Sequence, residues 1–277
     1  MILVAGGTGR LGTLVVRRLA RNGLDVRVLT RDPARAQRLS NTVADVVRGD
    51  VREPATLEPA MRGVTTVVSA VHGLAGPGRV TPAAVDREGN ANLVDAAAAV
   101  GAGVVLMSGT DASPDSPLEL FRAKHAAEQH LRASSVPWTI VRATAFLELW
   151  AEILAKPVIP GRGDNPINFV SVHDVAVVVE RAVVDPSLRG RTLEVGGPDN
   201  LTLNQLVAEL QAARGTSATV RHVPRWVVRA AAPASRRAAM ALAMDTLDMT
   251  FDPATARDAL AGLPLTSPRT ALRATPT

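Results

Sequence analysis

The sequence predicts an α/β fold, a doubly wound parallel sheet carrying a small, mainly helical C-terminal lobe. Three observations lead there. Short apolar runs alternate with helix-periodic ones through the first half of the chain, the pattern of βαβ units. Runs such as Thr66–Ala70 are apolar on both faces, as strands covered by helices on both sides require. The first run, Met1–Ala5, leads directly into Gly6-Gly7-Thr8-Gly9-Arg10-Leu11-Gly12 and then into a helical stretch with Leu11, Leu14, Val15 and Leu19.

Strands are expected at Ile2–Ala5, Asp25–Thr30, Asp45–Arg48, Thr66–Ala70, Val104–Met107 and Thr139–Arg142. Between them, Leu11–Asn22, Pro33–Ser40, Thr56–Met61, Val85–Val100 and Leu118–Ser134 carry the helical period. Beyond Arg142 the alternation weakens. Pro157–Pro166, rich in Pro and Gly, reads as a loop. Phe169–Val184 reads as a strand end followed by a helix, and Arg191–Val195 as a strand closed by Gly196-Gly197-Pro198. Thr202-Leu203-Asn204-Gln205 has the form of a capping box and starts a helix over Leu203–Ala213. A strand at Thr219–His222 and then helices complete the chain, with fraying from about Ser267.

Composition narrows the function classes. The 277 residues, 47% of them hydrophobic, can bury one large domain and a smaller lobe. Without cysteine there is no disulfide, thiolate zinc site or cysteine nucleophile. That fits a reducing cytoplasm, which is the expected compartment. The apolar run begins at Met1 without a basic leader, so no signal peptide is expected. No apolar run is long enough to span a bilayer, and no membrane partner is expected. The net charge of +5 comes almost wholly from arginine. It reads as composition rather than a concentrated patch, so no nucleic-acid partner is expected, although the charge would help attract an anionic cofactor. His222, Arg225, Arg229, Arg236 and Arg237 form the most basic local stretch. A solvated helix face is its default reading, with an anionic partner as the alternative. The five histidines form no i,i+4 pair with a nearby acid, so no metal site is expected, and a Gly-x-Ser-x-Gly elbow is absent.

Gly6, Gly9 and Gly12 stand between an expected strand and an expected helix. In that context the spacing marks a dinucleotide-binding turn, and the fold becomes Rossmann-like. Gly6 and Gly9 would serve the turn and the close approach of phosphate, and Gly12 tight helix–strand packing. Thr8, Arg10 and Leu11 would offer N–H groups or side chains to the phosphates. At the tip of the second strand, where NAD-binding versions carry an acid for the ribose 2′-hydroxyl, stands Arg31. A guanidinium there suits a 2′-phosphate, with Arg10 and Arg35 in support. NADP(H) is therefore the expected cofactor. The alternative is a solvated Arg31, with Asp32 taking the ribose.

With these residues in hand, the chain resembles the atypical short-chain dehydrogenase/reductases, specifically their NmrA-like NAD(P)-binding branch, over roughly residues 1–215. The glycine segment matches, as does Val28-Leu29-Thr30-Arg31-Asp32-Pro33. Gly49-Asp50-Val51 is similar to the third-strand element, and the resemblance places Asp50 and Val51 beside the adenine. Val68-Ser69-Ala70-Val71 looks like the fourth-strand tip, which puts Ala70 and Val71 along the cofactor. Val136–Arg142 and Phe169–Ala176 resemble two later signatures. The branch's usual Arg-Pro is Arg142-Ala143 here, and Thr144 and Phe146 just beyond are counted with the cofactor residues. Ordinary members carry Tyr-x-x-x-Lys; here Lys124 is retained, Leu120 takes the tyrosine's place, and the chain has no tyrosine at all. The resemblance implies that Lys124 binds the nicotinamide-ribose hydroxyls. Glu128, one helical turn on, would orient it, the alternative being a surface salt bridge. Ser108 matches the family's serine. The weakening of the alternation after Arg142 divides the chain into an NADP-binding Rossmann core over 1–142 and a region over 143–277. That region would complete the sheet with about 169–213 and form the substrate lobe, packed over the carboxyl ends of the strands, with about 143–168 and 214–277.

Lys124 and Ser108 are the expected catalytic residues, with His72, Thr110 and Asp111 as further candidates for proton transfer. A quinone or enone relaxes the need for a donor, because hydride adds first and water then protonates a stabilised anion. The protein would then mainly orient the cofactor against an apolar substrate. Phe146, Leu147, Trp150 and Trp226 are candidates for an apolar wall, with core packing as the alternative for each. The expected function is an NADP(H)-dependent oxidoreductase acting on a quinone, enone or other small apolar carbonyl compound. A non-catalytic NADP(H)-sensing regulator is the alternative, and an isomerase or dehydratase that retains the cofactor is a further one.

Overall fold

The structure, a computed structural model, describes residues 1–74, 80–256, 263 and 265–274. The chain divides into two compact units, Met1–Arg142 with Val175–Leu193, and Ala143–Asp174 with Glu194–Thr277.

The first unit is built on strands β1 (Ile2–Ala5), β2 (Val26–Thr30), β3 (Asp45–Arg48), β4 (Thr66–Ser69), β5 (Gly103–Gly109), β6 (Trp138–Ala143) and, later in the chain, β10 (Arg191–Val195). They form one seven-stranded parallel sheet in the order β10-β6-β5-β4-β1-β2-β3. Ile2 pairs with Val26 on one side and Thr66 on the other. Leu3, Val4, Ala5, Val67 and Val68 are fully buried, which is why these strands read as unbroken apolar runs. Helix α1 (Arg10–Arg21) turns Leu11, Val15, Val16 and Leu19 inward. Helices α2 (Asn90–Ala99) and α3 (Glu119–Ala133) follow β4 and β5. Because β2 and β4 flank β1 on opposite sides, the strand order reverses there, and the carboxyl ends of β1 and β4 form the switch point of the sheet, the place where such folds bind ligands.

Several expectations change. Pro33–Leu39 is a 3-10 rather than an α-helix, with Pro33 at its start and only Ala36 and Leu39 buried, a three-residue period. The helix expected over Thr56–Met61 is two short 3-10 turns, Pro54–Thr56 and Pro59–Met61, because Pro59 has no N–H with which to continue the first. The helix expected from Val85 begins at Pro82 as a π-helical segment, Pro82–Gly89, and becomes α-helical at Asn90.

The second unit carries β7 (Ala145–Phe146), β9 (Ile167–Val170) and β11 (Asn200–Leu201) in one small sheet, and β8 (Val158–Pro160) with β12 (Arg221–Val223) in another. The Pro157–Pro166 segment expected as a loop thus contains a strand, held in parallel register by Arg221, His222 and Val223. Helices α4 (Leu147–Ile153), α6 (Leu203–Arg214), α7 (Arg225–Ala231) and α8 (Arg236–Thr246) complete this unit, while α5 (Val172–Val184) spans the boundary. Leu147, Leu154, Ile159, Ile167, Phe169, Leu206 and Met244 form its core. The capping box forms as expected: Gln205 N–H donates to Thr202 Oγ1 at 3.1 Å, and Thr202 N–H to Gln205 Oε1 at 2.8 Å. Fraying from Ser267 does not occur over Pro268–Ala274, which is a helix; residues 275–277 lie outside the described residues.

Candidate active site

The glycine turn is sterically closed to any other residue. Gly6 has φ +81°, and a Cβ there would lie 2.7 Å from the Ala70 carbonyl oxygen. A Cβ on Gly12 would lie 2.2 Å from the Gly6 carbonyl oxygen, an oxygen that already accepts the Gly9 N–H at 2.9 Å. Helix α1 follows with Gly9 at its N-cap, no side chain capping it and no acid in its first turn. Its positive end is thus left for an anion, at the switch point of the sheet. These observations fit a diphosphate.

Beside the turn, Arg31 stands exposed at the end of β2. Asp32 is committed elsewhere: its carboxylate caps the 3-10 helix by accepting the Ala34 N–H at 3.1 Å. Sequence reasoning missed Arg38, whose Nη2 donates to the Thr8 carbonyl at 2.6 Å and to Thr13 Oγ1 at 3.2 Å. The signal was present in the spacing of Arg35 and Arg38, three residues apart and therefore on one face of the short helix. Asp50 is bound by Arg52 through Nε at 3.0 Å and Nη2 at 2.5 Å. That hydrogen bond outweighs burial and holds the Asp50 carboxyl below its ordinary range. Val51 is buried, and its carbonyl accepts Asn92 Nδ2 at 2.8 Å. Ala70 and Val71 are half-buried at the end of β4.

Lys124 lies in a buried polar chain. Its Nζ is 3.1 Å from Asp86 Oδ1 and 3.4 Å from the Met107 carbonyl. Asp86, fully buried, accepts the Gly73 N–H through Oδ2 at 2.7 Å. Its carbonyl accepts Asn90 Nδ2 at 2.7 Å, and Ser69 Oγ donates to Asn90 Oδ1 at 2.5 Å. The π-helical segment supplies Asp86, a wide turn of the kind often found at functional sites. Glu128 is not the partner of Lys124. It is fully buried and receives Arg142 through Nε at 2.9 Å and Nη2 at 2.7 Å, with Arg132 Nη1 at 3.1 Å. Burial alone would raise its carboxyl, but the bonds from Arg142 and the charges of Arg142 and Arg132, with the Ser108 hydroxyl nearby, prevail and lower it. Ser108 Oγ is shielded from solvent beside Glu128 and makes no hydrogen bond of normal geometry. The His72 side chain is exposed in area yet set among many protein atoms. Desolvation first, then the charges of Lys124 and Arg31, lower its pKa against the opposing pull of Asp86.

Of the remaining candidates, Thr110 and Asp111 are half-buried in the turn just past β5, and the others fall in the second unit. Thr144 Oγ1 donates to Asn168 Oδ1 at 2.8 Å, and Phe146 pairs with Val170 across β7 and β9. Leu147 is a core side chain, 1% exposed, and so forms no substrate wall. Trp150 packs against the same core, whereas Trp226 is 73% exposed. Asp174 holds the chain near its end, accepting Thr266 N–H and Oγ1, each at 2.7 Å.

The model of a family described as NAD(P)H-binding matches residues 6–186. An NAD(P)H azoreductase of Xenophilus azovorans is 32% identical over 78% of this chain and 74% of its own. A (4-alkanoyl-5-oxo-2,5-dihydrofuran-3-yl)methyl phosphate reductase of Streptomyces griseus is 35% identical over the same shares. Among solved structures, the NADPH-dependent quinone oxidoreductase QOR2 of Escherichia coli, complexed with NADPH, superposes with a TM-score of 0.79. It is 24% identical and covers 98% of both chains. With its glycine turn at the switch point of the sheet, the chain belongs to the NAD(P)H-binding Rossmann family, in its NmrA-like branch.

Proposed function

We propose that this chain is an NADP(H)-dependent reductase of a small, apolar, conjugated acceptor such as a quinone or enone. The observation that carries the reading is Lys124: its ammonium is fixed by buried Asp86 beside the end of β5 in a chain without tyrosine. A fixed ammonium can hold ribose hydroxyls, whereas a missing phenol removes the usual proton donor for a simple ketone. A conjugated acceptor needs none, because its anion is stabilised until water protonates it. The two similar chains are, by name, an azoreductase and a reductase of a dihydrofuranone phosphate.

In this reading Gly6, Gly9, Thr8, Arg10 and Leu11 hold the diphosphate, while Gly12 lets α1 pack closely on the turn. Arg31 takes the 2′-phosphate, since the Asp32 carboxylate is already engaged as a cap. Asp50 and Val51 border the adenine, and Ala70 and Val71 the middle of the cofactor. Lys124 holds the nicotinamide ribose. Ser108, whose shielded hydroxyl has no hydrogen-bond partner, stands with Lys124 at the end of β5 on the nicotinamide-ribose side. The bound cofactor supplies the hydride.

The test is to mix the protein with NADPH and a panel of quinones, enones and ketones while following the nicotinamide absorbance. Turnover of a conjugated acceptor, lost in Lys124→Ala, supports the reading. Tight NADPH binding without oxidation across the panel overturns it in favour of a redox sensor.

A further inference from the structure

The net positive charge of this protein is concentrated in one stretch of the sequence. Residues 210–244 contain Arg214, Arg221, Arg225, Arg229, Arg236 and Arg237 and no acidic residue. All 26 acids lie elsewhere, against the other basic residues, so the rest of the chain is close to neutral and these six arginines account for the net +5. Composition averaged over the whole chain hides this.

The fold keeps much of the stretch in water. Arg221 in β12 stands in register with Val158 of β8, and both are exposed. In α7, Val228 is the residue turned inward; Trp226, Val227 and Arg229 face solvent, Trp226 with 73% of its surface exposed. Arg237 in the first turn of α8 is exposed too. Arg225 is the exception, its Nε held 2.5 Å from Asp245 Oδ2. A tryptophan and valine left in water among arginines make an amphipathic surface of the interfacial kind.

We infer that α7 and its flanks dock on an anionic phospholipid surface. Trp226 and Val227 enter the headgroup layer, and Arg221, Arg229 and Arg237 meet lipid phosphates. Lipid is favoured over nucleic acid because the exposed side chains of α7 other than Arg229 are all apolar, Trp226, Val227, Ala230 and Ala231, and such a face gains more from burial in a headgroup layer than from phosphates alone. Such a contact needs no spanning helix, and among the described residues no helix is long and apolar enough to cross a membrane. The inference departs from the expectation of no membrane partner, and it stands independently of the reductase reading.

The experiment is co-sedimentation of the full chain with vesicles of phosphatidylcholine alone and of phosphatidylcholine mixed with phosphatidylglycerol. Binding is expected to the anionic vesicles only, with a blue shift of tryptophan emission, and to fall as salt rises beyond about 0.15 M. Trp226→Ala abolishes the blue shift. Arg229→Gln and Arg237→Gln each weaken binding about five-fold, whereas Arg17→Gln, an equal loss of charge on α1, leaves it unchanged. Equal binding to neutral vesicles, equal weakening by Arg17→Gln, tighter binding to single-stranded DNA, or no binding to any vesicle overturns the inference.

Discussion

Lys124 Nζ and Asp86 Oδ1 stand 3.1 Å apart, with the Asp86 side chain wholly buried and that of Lys124 12% exposed. The pair joins the π-helical segment to α3 beneath the end of β5. Each charge depends on the other, because neither has enough water to support it alone. Asp86→Asn keeps the shape but strands the ammonium. It should destabilise the fold by roughly 3 kcal/mol in urea unfolding. Adding Lys124→Met should restore most of that stability while leaving NADPH binding impaired, a non-additivity that a double-mutant cycle will measure.

Gly12→Ala places a methyl 2.2 Å from the Gly6 carbonyl oxygen. The turn must open to admit it. Calorimetry should show no NADPH binding at concentrations that saturate the parent, with about 2 kcal/mol lost in stability.

Arg31 and Arg38 separate by cofactor. Arg31→Ala should weaken NADPH about ten-fold or more and leave NADH unchanged, because only NADPH carries the 2′-phosphate. Arg38→Ala removes the bond to the Thr8 carbonyl, so it should weaken both cofactors alike through the turn. Parallel titrations with the two cofactors check both outcomes.

Acid should expose the Glu128 cluster. Its carboxyl titrates below the ordinary range when folded, so its contribution is complete above the unfolded value of about 4.3 and is lost as pH falls through the folded value. Glu128→Gln should therefore be less stable than the parent at neutral pH, and the gap should close in strong acid. His72 acts over a higher window. With its folded pKa lowered, the unfolded chain takes up that proton first, so stability falls as pH drops below about 6.5. Imidazole shifts followed by NMR should show His72 titrating below a free histidine.

The carboxylate of Asp174 accepts both polar groups of Thr266. Asp174→Ala should cost about 1–2 kcal/mol and make the segment around Pro268–Ala274 more readily cut in limited proteolysis.

The sequence by itself determined the main strands, the glycine turn and the capping box at Thr202. Each rests on local physics: an apolar run buried on both faces, a turn that tolerates no Cβ, a hydroxyl that caps the helix it precedes. It also held the charge asymmetry of residues 210–244, visible once the chain is read in windows. Only the tertiary structure decided the ion pairs. Helical spacing offered Glu128 to Lys124, but Glu128 turns toward Arg142 of β6, and Lys124 takes Asp86 from a segment far earlier in the chain. Arg38 reaches back from the short helix after β2 to the Thr8 carbonyl of the glycine turn, thirty residues earlier. Spacing along one element shows which residues share a face. Which charge that face meets is set by the element packed against it, and that comes from elsewhere in the chain.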